Sequence, residues 1–228
     1  MNIHRLAWDS DFFGYEVGSC SDFQHSEQDL IAIENSSYQL IYLFLNQALP
    51  ALPKTFFLAD EKLILSKRIE SDQEYSFDFN ISQIKVIDQK LLSLVMQSGV
   101  HSRFKIDPNF KHNEFERLYK KWIENSFAEK KHQKVLGYFE NETLLGFVSI
   151  AEKLGVLNIG LIAVDQLARG KGIGSSLLQW VFNYAKLNQF EQVHVVTQAA
   201  NRGALNFYEQ HSFEIISRTF LYHIWKLH

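Results

Sequence analysis

The sequence predicts an α/β (α+β) fold, a mixed central sheet with helices on both faces, plus a smaller α/β extension at the N-terminus. Three observations predict it. From Ile84 onward, apolar spacing alternates between helix and strand periods in the order ααβββαβαββ, a pattern of mixed rather than doubly wound parallel sheets. A glycine-rich turn, Arg169-Gly170-Lys171-Gly172-Ile173-Gly174, stands between a strand and an amphipathic helix. Residues 70–83 are polar and turn-rich, which divides the chain into an extension over 1–75, or a partial unit of the same fold, and a main domain over 76–228.

The elements follow in order. Leu40–Leu45 is a short, fully apolar run and reads as a buried strand. Pro50 and Pro53 punctuate the loop after it. Phe56–Leu58 and Leu63–Leu65 read as a hairpin joined through Ala59-Asp60-Glu61. Ser82–Gln97 has helical spacing at Ile84, Ile87, Leu91, Leu94 and Val95, and Ser98-Gly99 ends it. Val100–Pro108 reads as loop. Phe115, Leu118, Tyr119 and Trp122 define a second amphipathic helix. Val135–Phe139 and Leu144–Ala151 are strands around a turn at Glu140-Asn141-Glu142, and Val156–Val164 is a third strand entered through Gly155. After the glycine turn, Ile173, Leu177, Val181 and Tyr184 mark a helix. Gln192–Thr197 is a strand, Asn201–Gln210 a helix, and Phe213–Ile216 and Phe220–Trp225 are closing strands.

Composition bounds the function. The 228 residues are 46% hydrophobic and 21% charged, enough apolar mass for a core without disulfides or metal. One cysteine, Cys20, excludes an internal disulfide and suits a reducing compartment. A net charge of −3 argues against broad nucleic-acid binding. No signal-like segment and no run long enough to span a bilayer occurs, so a soluble, cytoplasmic protein without a membrane partner is expected. Metal chemistry is not expected: C-x-x-C and H-E-x-x-H are absent and the nine histidines are scattered. A serine nucleophile lacks its G-x-S-x-G setting.

The glycine turn carries the strongest chemical signal. Alternating glycines let the backbone turn tightly and aim successive N–H groups at one point, and the helix start adds unpaired donors and a positive dipole end. That is an anion site suited to a pyrophosphate, with Arg169 and Lys171 adding charge at its rim. The spacing fits neither the dinucleotide fingerprint nor the Walker loop. A plain surface turn with two solvated cations is the alternative.

Arg169, Gly170, Gly172 and Gly174, followed by Asn201, Ala204, Phe207 and Tyr208 in an N-x-x-A-x-x-F-Y string, resemble the GNAT N-acetyltransferase superfamily. The likeness runs from about Ile84 to the C-terminal end, and the element order agrees. It implies an acyltransferase that transfers groups other than aminoacyl, with acetyl-CoA as co-substrate. It further implies a cofactor site of Leu161, Ile162, Ala163, Val164, Arg169, Gly170, Lys171, Gly172, Ile173, Gly174, Ser175, Asn201 and Tyr208. In that family the strand before the loop parts from its neighbour and lends a backbone N–H to the thioester carbonyl, here near Ala163. Tyr208 is implied as the acid that protonates the leaving thiolate, or else a core tyrosine. Asn201 is a helix cap, a ligand of the pantetheine arm, or both. Glu152 is implied as general base, with His101, His194 or water as alternatives.

A narrower resemblance adds Trp8–Gly14, Ser102-Arg103-Phe104, Trp122–Asn125, Ile159-Gly160-Leu161 and Thr197-Gln198, which in that order resemble segments of the bacterial TDP-fucosamine acetyltransferases. It implies an acceptor that is a nucleotide-linked amino deoxysugar for surface polysaccharide assembly. The guanidinium of Arg103 suits an acceptor phosphate, and Phe104 could stack on a base, so Ser102, Arg103 and Phe104 are the expected substrate residues. Trp8, Phe12, Phe13 and Tyr15 are expected to pack the N-terminal part onto the core. A homodimer is compatible with the sequence. Another amine acceptor, or a regulator that binds acyl-CoA without catalysis, are the rival readings.

Overall fold

The computed structural model describes residues 1–226 apart from 52, 54 and 129. One ten-stranded sheet runs through them. Its strands are β1 (His4–Arg5), β2 (Val17–Cys20), β3 (Leu40–Leu45), β4 (Phe56–Arg68), β5 (Ile81–Gln83), β6 (Lys134–Glu140), β7 (Thr143–Lys153), β8 (Val156–Val164), β9 (Gln192–Gln198) and β10 (Glu214–Trp225). Their spatial order is β1-β2-β3-β10-β4-β9-β8-β7-β6-β5. The β2/β3 and β8/β9 pairs are parallel and the others antiparallel. The sheet is therefore mixed, as expected.

Helices cover both faces. Helix α6 (Ile173–Leu187) and helix α7 (Arg202–Gln210) pack on one, where Leu177, Val181 and Phe182 meet Val148, Ile150 and Leu157. Helix α3 (Gln89–Ser98) and helix α5 (Glu114–Ser126) pack on the other, where Leu94, Leu118 and Ile123 meet Val135 and Phe147. Alternation along β7 sends Phe147 to one core and Val148 to the other, the period-two signature of a strand buried on both faces. Two further helices, α1 (Ala7–Phe13) and α2 (Glu27–Asn35), belong to the N-terminal part; α4 (Arg103–Ile106) is a single turn. Among the described residues no helix is long and apolar enough to cross a membrane.

Residues 1–75 supply four strands to the shared sheet. The last strand, β10, lies between β3 and β4 and bonds to both. Phe13 stacks on Tyr15 at 5.6 Å and on Phe104 at 6.0 Å, which ties α1 to the core, while Trp8 stays 46% exposed and stacks on Phe12.

Four expected elements are corrected. Phe56–Leu58 and Leu63–Leu65 are not a hairpin but one strand, β4, with a bulge at Ala59. The linking Ala59-Asp60-Glu61 holds no glycine or proline, and β10 pairs with β4 on both sides of it, Tyr222 with Leu58 and Leu221 with Asp60, so the chain bulges at Ala59 instead of turning back. Phe213–Ile216 and Phe220–Trp225 likewise form one strand with an irregularity at Ile216. The helix expected over Ser82–Gln97 starts only at Gln89, where the Asp88 side chain accepts from the Leu91 N–H at 2.7 Å; Ile81–Gln83 instead pairs with β6 as an edge strand. The Val100–Pro108 loop contains α4, capped by Ser102. The hairpin turns are as read: Asn141-Glu142 and Leu154-Gly155 both have φ > 0, the twist that joins adjacent antiparallel strands.

Gly99, after α3, touches the neighbouring aromatic cluster. A Cβ there would lie 2.4 Å from Tyr119 and 2.7 Å from Phe115, whereas one at Gly203 in α7 would meet nothing nearer than 4.0 Å. Gly99→Ala is expected to cost about 1–3 kcal/mol by overpacking. Gly203→Ala is expected to stabilise by about 0.5–1 kcal/mol through helix propensity. Denaturant melts of both variants check this; equal, small effects would contradict the packing described.

Candidate active site

The site begins where two parallel strands part. β8 and β9 pair only at Leu157–Val193, Asn158–His194 and Ile159–Val195. β9 then stays bonded to β4 along its whole length, while β8 follows β7 to Val164. The cause is local. The β7/β8 register shifts between Val148 and Ile150, and Gly160 passes so close to Ser149 that a Cβ there would lie 3.0 Å from its hydroxyl oxygen. The buried Ser149 hydroxyl accepts from the Leu161 N–H at 2.8 Å, which satisfies the donor that the bulge strands.

The parting opens a cleft of about 880 Å³. Gly160–Val164 form one wall and Val195–Gln198 the other. Leu161 and Asp165 N–H groups bond toward β7, to Ser149 Oγ and to the Leu145 carbonyl at 2.8 Å. Strand alternation then turns the N–H groups of Ile162 and Val164, rather than that of Ala163, toward the cleft. The Val164 carbonyl accepts from Arg169 Nε at 3.2 Å on that same side.

At one end lies the glycine turn. Gly170 and Gly172 have φ of +78° and +81°, a left-handed backbone that calls for glycine, and a Cβ on either would meet nothing within 4 Å. Gly172 caps α6 without a side-chain acceptor, so the first N–H groups of the helix face the cleft unshielded. Gly174 allows Phe207 of α7 to pack against the turn; a Cβ would lie 3.1 Å from its ring. Ser175 lies 3.0 Å from His211 Nε2, and His211 Nδ1 lies 2.7 Å from the Phe207 carbonyl. Open donors, a helix start and no blocking side chain suit a diphosphate.

Tyr208 lines the cleft from α7. It is 3% exposed, packs on Phe207 and Phe213, and burial holds its hydroxyl protonated well above the usual tyrosine range. Asn201 caps α7, its Oδ1 accepting from the Ala204 N–H at 3.2 Å, and it also lines the cleft.

The far end is aromatic and charged. Phe44 from β3, Asp60 and Lys62 from β4, and Arg103, Tyr119 and Trp122 line it. Asp60 was invisible to sequence reasoning, which placed it in a turn. Burial pushes its carboxyl up to about 6, against the pull of Arg103 and Lys62, and its Oδ1 is buried without a partner among the described residues. The one signal in the sequence was a carboxylate between two short apolar runs, Phe56–Leu58 and Leu63–Leu65.

Most of the expected residues converge here: Leu161 to Val164, Arg169, Gly170, Gly172 to Ser175, Asn201, Tyr208, and Ser102 to Phe104 all line the cleft, as does His101. Three do not. Glu152 is exposed beside the β7–β8 turn, paired with Leu157, on the closed side of the parting. His194 bonds to Gln192 on the same closed side. Lys171 is exposed outside the cleft lining. Phe104 is only 5% exposed and its ring is taken by Phe110, Trp122 and the Arg103 guanidinium, so it is a packing residue rather than a free platform for a base.

Comparison with known proteins agrees with this architecture. The family model described as the acetyltransferase (GNAT) family matches residues 100–213. An uncharacterized N-acetyltransferase of Methanocaldococcus jannaschii is 30% identical over 110 residues, covering 46% of this chain and 48% of that protein. The UPF0157 protein YqkA of Bacillus subtilis is 32% identical over 83 residues, covering 36% of this chain and 24% of that protein. The aligned part thus spans about half or less of the curated relatives it matches. A functionally unknown conserved protein from Staphylococcus epidermidis superposes with a TM-score of 0.62 at 12% identity, over 93% of this chain and 85% of the other. A GCN5-related N-acetyltransferase from Sphaerobacter thermophilus gives 0.51 at 14% identity, over 86% and 63%. At such identities the likeness is one of fold.

Asp60 yields a pH prediction. Its folded value near 6 lies above the unfolded value near 3.9. Folding is therefore favoured by the bound proton below about pH 4, and that contribution is lost as pH rises through about 6. In Asp60→Asn the melting temperature relative to wild type is expected to climb between about pH 4 and 7 and then level off. A difference that stays flat with pH would show that Asp60 titrates normally.

Proposed function

The chain belongs to the acetyltransferase (GNAT) family, and on that footing we propose that it transfers an acetyl group from acetyl-CoA to the amine of a TDP-linked amino-dideoxyhexose. The observation that carries this reading is one continuous cleft lined by the glycine turn with its unshielded helix N–H groups, by Tyr208, and by the opposite charges of Asp60 and Arg103. The ordered segments that resemble the TDP-fucosamine acetyltransferases support the choice of sugar.

Acetyl-CoA supplies an acyl thioester, and the protein supplies positions for it. The N–H groups from Gly172 to Ser175 hold the diphosphate, and the arm lies in the gap between β8 and β9. The N–H groups of Ile162 and Val164 are placed to stabilise charge on the carbonyl oxygen. Asp60 takes a proton from the acceptor amine; a value near 6 leaves it ionised yet basic at neutral pH, the useful range for a general base. Asp60 replaces Glu152 in that role, because Glu152 lies outside the cleft. The amine nitrogen bonds to the acyl carbon, the carbon–sulfur bond breaks, and Tyr208 gives its proton to the departing thiolate. Transfer is direct, within a ternary complex. Arg103 binds an oxygen of the nucleotide diphosphate, so the acceptor enters from the end opposite the glycine turn.

Thiol release from acetyl-CoA with a panel of amines tests the reading. TDP-4-amino-4,6-dideoxygalactose should be turned over, and spermidine, a peptide amine and an aminoglycoside should not. Turnover of one of those three at equal efficiency would replace the proposed acceptor. Tyr208→Phe should lower the turnover number by about 10²–10⁴ with coenzyme A affinity nearly unchanged. A folded variant within about threefold of wild type, with chemistry rate-limiting, would remove Tyr208 from the mechanism.

A further inference from the structure

The Arg103 guanidinium is sandwiched between rings. Its carbon lies 4.0 Å from the centroid of Tyr42 and 4.3 Å from that of Phe104. Burial of a cation demands an acceptor. Asp9 and Asp60 are near enough to favour the charge, yet no carboxylate among the described residues stands within ion-pair distance of it. The acceptor that Arg103 does have is an imidazole: Nη1 lies 3.0 Å from Nε2 of His223 on β10.

A guanidinium can only donate, so His223 Nε2 must present its lone pair and the ring proton must sit on Nδ1. Nδ1 lies 2.6 Å from Asp107 Oδ2, which accepts that proton's hydrogen bond. The same oxygen accepts from Trp225 Nε1 at 2.8 Å, and Oδ1 accepts from Asn109 through its N–H at 2.9 Å and its Nδ2 at 3.0 Å. Both ends of the chain are thus fixed, and the charges run negative, neutral, positive from Asp107 through His223 to Arg103. Burial pushes His223 down to about 4, outweighing its bond to Asp107, which keeps the ring neutral in the physiological range. Hydrogen bonds from His223, Trp225 and Asn109 outweigh burial at Asp107 and keep it ionised.

Neither His223 nor Asp107 lines the cleft; Arg103 does. We propose that His223 and Asp107 are positioning residues that aim the Arg103 guanidinium at the anionic part of the acceptor, an inference that rests on the acceptor reading above. The two rings fix the guanidinium plane and His223 fixes its rotation within that plane. The donors not used by His223 remain for an oxyanion, in the bidentate geometry that favours phosphate. Direct pairing with a carboxylate would hold the arginine equally well but would quench its charge. The interposed neutral ring keeps the geometry and moves the negative charge one residue away. Ordering Arg103 during folding also removes that cost from acceptor binding.

The test compares His223→Leu, which cuts both bonds, with His223→Gln, whose amide can still accept from Arg103 and donate to Asp107. With TDP-4-amino-4,6-dideoxygalactose, His223→Leu should raise the acceptor KM by about tenfold or more, with the acetyl-CoA KM within about twofold. His223→Gln should restore the acceptor KM to within about threefold of wild type. In nitrogen-15 NMR, the Arg103 Nη–H signals should be resolved in wild type and His223→Gln and averaged in His223→Leu. If His223→Leu does not fold, His223→Phe, which keeps a ring among Tyr42, Phe104 and Phe110 and also cuts both bonds, replaces it, with the same split expected. An equal rise in both KM values, or Arg103 signals unaltered by the cut, would overturn the relay. The NMR comparison needs no acceptor: a wild-type enzyme inert toward the nucleotide sugar would contradict the acceptor reading, and the relay would then stand or fall on the Arg103 signals.

Discussion

The parting of β8 from β9 after Ile159 and Val195 is the constraint on which the rest of the site depends. Two adjacent strands that stop pairing leave backbone donors and acceptors without partners, a cost a compact sheet ordinarily avoids. Here each strand is anchored on its outer side instead, β9 by β4 and β8 by β7. The Ser149 hydroxyl mends the backbone where the bulge breaks the ladder, and Gly160 leaves room for it. The gap that results has polar backbone along its walls and apolar side chains above and below. It can receive an extended chain of atoms that makes strand-like hydrogen bonds, and it leads from the glycine turn to the charged end of the cleft.

That charged end is assembled from segments far apart in the chain. β3 and β4 bring Tyr42, Phe44, Asp60 and Lys62; the turn of α4 brings Arg103; β10 brings His223. The placement of β10 between β3 and β4 makes this possible, because it sets the N-terminal strands beside the cleft instead of in a separate unit. Opposite charges stand close without pairing: Arg103 is tied to a neutral ring, and Asp60 keeps an unpartnered oxygen. Each side chain is therefore held in place with bonding capacity left over, the condition for a preorganised site.

How much of this was legible in the sequence follows from the range of the interactions involved. The glycine turn, the Asn201 cap and the two hairpins are local, since residues a few positions apart decide them, and they were read directly. At the end of the cleft by the glycine turn, Leu161 to Val164, Arg169, Gly170 and Gly172 to Ser175 lie together because a strand, a turn and a helix start are consecutive. β4 and β10 were each read as two pieces, because a bulge inside a long strand looks like a turn when its partner is unseen. Asp60 was lost with that reading. Glu152 was misplaced because its strand was identified but its register against β8 was not; three residues of register separate the open side of the parting from the closed one. The pairing of Arg103 with His223 joins positions 120 residues apart and has no local signature.

The central claim, that the parted strands form the site of the acyl donor, is tested most directly by a crystal structure with coenzyme A bound. The account predicts the pantetheine arm between β8 and β9, its amides bonded to the strand backbones. The diphosphate should lie on the N–H groups of Gly172 to Ser175, and the sulfur within hydrogen-bond reach of the Tyr208 hydroxyl. Coenzyme A bound elsewhere, with β8 and β9 hydrogen-bonded to each other beyond Ile159 and Val195, would contradict it.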